Sequence, residues 1–64
     1  MRIITLDGVD YRIQPRAGQL PLVYKRYATG VYFRWCLVWG DKRRRKMPAI
    51  GSMLARVLAA AGDV

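Results

Sequence analysis

The dipeptide Asp7-Gly8 lies between two runs of strand-forming residues, Ile3-Ile4-Thr5-Leu6 and Val9-Asp10-Tyr11-Arg12-Ile13. A two-residue turn between antiparallel strands needs positive φ at both central positions, which Asp tolerates and Gly adopts freely. This spacing therefore predicts a tight β-hairpin. The turn also sets a register. Leu6 opposes Val9, Ile4 opposes Tyr11 and Arg2 opposes Ile13, so mostly apolar side chains share one face.

Beyond the hairpin, Pro15-Arg16-Ala17-Gly18-Gln19-Leu20-Pro21 reads as a connection. Its prolines cannot donate to a ladder and Gly18 permits a sharp bend. Leu22 to Tyr27 and Val31 to Trp39 then read as a second hairpin, turning through Ala28-Thr29-Gly30. In the latter run Val31, Phe33, Trp35, Leu37 and Trp39 share one parity and are expected in the core. Tyr32, Arg34, Cys36 and Val38 fall on the other, half-exposed side. Gly40-Asp41 offers a further turn. Lys42 to Lys46 then reads either as a charged edge strand, whose lysines deter further pairing, or as a solvated loop.

Near the C-terminus, Ile50, Met53, Leu54, Val57, Leu58 and Ala61 recur at the spacing of one helical stripe. Pro48 suits a first turn, Ser52 is a competing N-cap and Gly62 supplies a stop. The outer face, Ala55, Arg56, Ala59 and Ala60, is nearly free of charge. The predicted fold class is α+β: a small antiparallel sheet, made of a hairpin plus a two- or three-stranded meander, covered on one face by a single helix. One domain is expected over 1–64, with the hairpin at 1–14, the meander and basic run at 22–46, and the helix at 48–61.

A 64-residue chain buries only about 60% of the surface that its unfolded form exposes, so its core is marginal. The usual staples are missing. One cysteine and no histidine exclude an internal disulfide and offer no metal site. Packed side chains must hold the fold, with a homodimer as a further route to stability. Hydrophobic residues make up 53% of the chain, which argues against disorder despite the charge. Met1-Arg2 is followed too soon by Asp7-Gly8 for a secretory h-region. No apolar run approaches the ~18 residues of a membrane span. Together with a free cysteine, these features predict a cytoplasmic chain with no membrane partner.

Catalytic chemistry has little to draw on. There is no histidine, no glutamate and no pair of cysteines, and the four aspartates (Asp7, Asp10, Asp41, Asp63) lie in turns, on a strand's polar side or at the terminus. The chain is expected to be a non-enzyme without cofactor or metal. Cys36 beside Arg34 reads as a small half-buried hydrophobe rather than an activated thiol. Gly51-Ser52 at a helix start lacks the glycine-rich loop and lysine of a phosphate cradle.

The charge is what remains. Twelve Lys and Arg face four acids for a net +8, and five of the cations are consecutive: Lys42, Arg43, Arg44, Arg45 and Lys46. With aromatic residues nearby, such a run suits phosphate contacts. Arg34 and Tyr32, on the non-core side of the Val31–Trp39 strand, would extend the surface, joined by Lys25, Arg26 and Tyr27 if the strands pair as proposed. The expected partner is nucleic acid, DNA or RNA, bound electrostatically with little sequence specificity. The alternative is an acidic or nucleic-acid-binding protein surface, engaged by a phage-type inhibitor or adaptor. Over Leu22–Ala61, a three-stranded sheet followed by a helix, with basic and aromatic side chains on the open face, resembles the arm-type DNA-binding domains of phage integrases and the AP2 domains of plants. Those domains read the major groove through the sheet. The likeness is one of element order and composition, and no motif diagnostic of either family is present.

Overall fold

The computed structural model describes residues 2–28 and 30–62. Thr29, part of the expected second turn, and Asp63 lie outside the described residues. Four strands, β1 (Arg2–Leu6), β2 (Val9–Arg16), β3 (Gln19–Ala28) and β4 (Phe33–Trp39), are followed by one helix, α1 (Met53–Gly62). The strands form an antiparallel sheet in the order β1-β2-β3-β4. This is the expected small α+β architecture, with the helix against one face.

The first hairpin folds as its turn chemistry dictates. Asp7 and Gly8 have φ of 51° and 78°, and Leu6, Ile4 and Arg2 oppose Val9, Tyr11 and Ile13. The expected Pro15–Pro21 connection is instead mostly strand. The chain reverses within Ala17-Gly18, with Gly18 at φ 71°, and Arg16 pairs with Gln19. Both prolines fall where the β2–β3 register shifts, between the Gln14–Leu22 and Arg16–Gln19 pairs. A bulge leaves ladder groups unpaired anyway, so a missing N–H costs little there.

The helix begins later than the apolar stripe suggested. Ser52 takes the N-cap: its Oγ accepts from the Ala55 N–H at 3.2 Å, and its carbonyl accepts from Arg56 N–H at 3.1 Å. Gly51, at φ 85°, stops the helix from extending toward Pro48. Ile50, expected in the buried stripe, lies outside the helix and is fully exposed. The rest of the stripe holds. Val57 is fully buried, and Met53, Leu54, Leu58 and Ala61 pack against the core made by Tyr11, Ile13, Val23, Trp39 and Val57. Two polar ties orient α1 along β1. Arg56 meets Asp7 at 3.2 Å near the helix start, and Arg2 donates to the Ala61 carbonyl at 3.3 Å near its end.

β4 departs from the strict alternation expected of it. Val23 pairs with Trp39 while Tyr24 pairs with Leu37, so Val38 is an extra residue in β4. The bulge flips the parity. Trp39 and Val38 join the helix-side core, whereas Phe33, Trp35 and Leu37 point to the opposite face. Val31 precedes β4 and is 87% exposed. The aromatic run expected to be core is thus divided between the two faces, because one inserted residue exchanges the sides of everything beyond it.

The second face has no helix over it. The radius of gyration, 11.8 Å, exceeds the roughly 10.7 Å expected for this chain length, in keeping with a sheet covered on one side. No helix among the described residues is long and apolar enough to cross a membrane.

Candidate nucleic-acid interface

The uncovered face is built from the alternate positions of all four strands. Partners across an antiparallel ladder share a side. Arg12, Tyr24 and Leu37 therefore form one row, and Arg26 and Trp35 form the next, with Phe33 opposite Ala28 at the end of β4. Arg12 lies over two rings, 4.3 Å from the Tyr24 centroid and 5.1 Å from that of Trp35. Arg26 lies 4.3 Å over Phe33 and pairs with Asp10 at 2.6 Å. Asp10 in turn accepts from the Thr5 hydroxyl at 2.6 Å. A ring's negative π face attracts a cation at these distances, so the arginines and aromatics fix one another in place.

Arg12 is the singular member of this layer. It is half-buried, no carboxylate among the described residues pairs with it, and its Nε is buried without a hydrogen-bond partner. A partly desolvated cation held by rings alone retains its demand for an anion or an acceptor.

The basic run forms a loop rather than an edge strand. Gly40 N–H donates to the Arg44 carbonyl at 2.6 Å, and Asp41 Oδ1 accepts from Arg44 N–H at 2.7 Å. The Arg44 guanidinium closes on Asp41 Oδ2 at 2.9 Å. Arg16 donates to the Gly40 carbonyl at 2.8 Å and to that of Leu20 at 2.9 Å, which fastens the loop to the β2–β3 turn. At its far end the buried Trp39 indole N–H donates to the Lys46 carbonyl at 2.8 Å. Desolvation raises the Asp41 pKa, but the Arg44 N–H, the Arg44 charge and the Arg43 N–H outweigh it and hold the carboxyl below its usual value. With the backbone turned inward, the side chains of Lys42, Arg43, Arg45 and Lys46 face solvent. Lys42, Arg45 and Arg16 line a cleft of about 300 Å³ between loop and turn.

The other residues singled out from the sequence do not converge on one surface. β4 is an edge strand. Arg34 opposes Tyr27, and Lys25 opposes both Tyr11 and Cys36, so Arg34 and Lys25 take the helix-side parity. Lys25 sits 5.1 Å over the Tyr27 ring. Arg26, its neighbour, is on the open face. Tyr32 precedes β4 at the opposite end of the sheet from the basic loop, within an exposed apolar tip that includes Tyr27, Val31 and Phe33. Arg12 and Tyr24 were missed. Their signal was in the sequence, since Arg12 alternates with Tyr11 and Ile13, but it needed the β2–β3 register to become a site.

Among the described residues no three His, Cys, Asp or Glu side chains gather to hold a metal. No family model matches this chain, and neither the curated proteins nor the solved structures contain a significant match to it.

Proposed function

We propose that this chain is a small, cytoplasmic, non-catalytic nucleic-acid-binding module that engages a phosphate backbone through the open sheet face and the basic loop. One observation carries the reading. Asp7, Asp10 and Asp41 are each already engaged by an arginine, while Arg12, Lys42, Arg43, Arg45 and Lys46 have no carboxylate partner among the described residues. These cations lie on one face and at the end of the same sheet. Their field concentrates polyanions, and each phosphate contact releases condensed counterions.

The test is binding of labelled DNA and RNA across a salt series, with an Arg43→Ala/Arg45→Ala double variant. Arg44 is spared because it holds the loop through Asp41. The log–log salt slope should shrink by roughly 1.8 on duplex, or about 1.4 on a single strand. An unchanged slope would remove the loop from the interface.

A second reading, the protein-binding adaptor or inhibitor, is favoured by the apolar tip. Val31 and Phe33 are 87% and 60% exposed there, beside a shallow hollow lined by Ala28, Gly30, Val31, Tyr32 and Phe33. Absence of affinity for every nucleic-acid probe at physiological salt would hand the surface to that reading.

A further inference from the structure

Resting on the nucleic-acid reading above, we propose that the open sheet face is a stacking platform for unpaired bases, and that the ligand is therefore single-stranded. Rings on this face, Tyr24, Trp35 and Phe33, stand on two adjacent strands, and none is covered by the helix. Phe33 is the most exposed of them and lies at the end of β4 farthest from the basic loop. Arg12 and Arg26 lie against these rings at stacking distance. A guanidinium plane and an aromatic ring are the two surfaces on which splayed bases stack.

Charge matches the same ligand. The single carboxylate described on this face, Asp10, is bound by Arg26 and Thr5, so no free acid among the described residues faces an incoming phosphate. Arg12 offers an uncompensated cation in the middle of the platform, and Lys42, Arg43, Arg45 and Lys46 continue the positive track at the strand end. From Phe33 to Gly40 the track spans about 23 Å at the rise of a strand, room for roughly four nucleotides, the lower end of what a small β module holds.

A duplex fits this surface poorly. Its base faces are buried in the stack, so the rings would find only edges. Four strands set roughly 14 Å of backbone side by side, wider than the ~12 Å major groove that admits a two-stranded ribbon or a helix. The groove-reading mode of three-stranded sheets is therefore closed to the intact four-stranded face.

The experiment uses the full chain with fluorescein-labelled oligothymidylate, oligouridylate and a duplex of equal length, at one moderate salt concentration. Anisotropy gives affinity, and intrinsic tryptophan emission reports on Trp35, since Trp39 is buried in the helix-side core. Single strands should bind at least tenfold more tightly than duplex and quench tryptophan emission. Phe33→Ala, at an exposed position that does little for the core, should weaken single-strand binding by about 5- to 150-fold. Trp35→Leu should remove most of the quenching. Circular dichroism checks that both variants fold. The two homopolymers distinguish RNA from DNA as the source of the strand.

Duplex binding as tight as single-strand binding, unmoved by Phe33→Ala but weakened by Arg43→Ala/Arg45→Ala, overturns the platform and leaves the phosphate reading standing. Tight single-strand binding without quenching and insensitive to Phe33→Ala also overturns it. Failure of all three probes to bind overturns both.

Discussion

Gly40→Ala is the substitution whose cost can be worked out most directly. Gly40 is buried, has φ 108°, and carries the basic loop through its N–H to Arg44 and its carbonyl to Arg16. A methyl group here would overlap the Pro21 carbonyl oxygen and come within 3.0 Å of Leu22 Cα. Holding an L-residue at such a φ costs about 1–3 kcal/mol. The overlap is with backbone, so β3 and the loop must separate, weakening two hydrogen bonds worth about 1 kcal/mol each. The sum, about 3–5 kcal/mol, is comparable with the whole stability of a chain this size, about 3–10 kcal/mol. The melting temperature should fall by at least ~12 °C, read by far-UV circular dichroism and by the near-UV signal of the aromatic side chains. Gly18→Ala is the control. Gly18 also has positive φ, 71°, but nothing lies within 4 Å of its added methyl, so it should cost about 1–2 kcal/mol. If the two variants melt together, close approach of Gly40 to Pro21 contributes nothing and the explanation for the loop's anchoring is wrong.

Two further predictions concern the helix cap and the loop. Ser52→Ala removes the N-cap acceptor of Ala55 and should cost about 1 kcal/mol, lowering the melting temperature by about 4–8 °C; an unchanged transition in thermal denaturation would mean that another group caps α1. Asp41 has its pKa below the ordinary 3.8, so its contribution to the loop is complete above that value and is lost as pH falls through the lower folded value. The Arg44 amide resonance should therefore titrate in acid with a midpoint under 3.8 and stop titrating in Asp41→Asn. A midpoint at or above 3.8 would contradict the bonding described for the loop.

Much of this fold was legible because it is local. Asp7-Gly8 sets its own turn and register through φ alone, and Met53, Leu54, Val57, Leu58 and Ala61 mark a buried helical stripe through spacing alone. Lys42 to Lys46 declares a strongly cationic surface whatever its backbone does. The errors arose wherever the answer depended on a neighbour. Pro15 and Pro21 read as loop residues because a proline lacks a donor, yet a bulge between β2 and β3 makes that donor unnecessary. Ile50 matches the helical period but falls before Gly51, whose positive φ lets Ser52 begin the helix.

The division between sequence and tertiary structure is clearest in β4. Alternation showed that Phe33, Trp35 and Leu37 share a side, and composition showed that this protein is strongly basic; both follow from residue identity and from the two-residue period of a strand. Which side is covered was decided only by packing. Val38 bulges out of register against β3, Trp39 turns into the helix-side core, and the remaining aromatics of β4 are left on the open face with Arg12 and Arg26. A pattern with period two cannot count an inserted residue that exists only in relation to its partner strand.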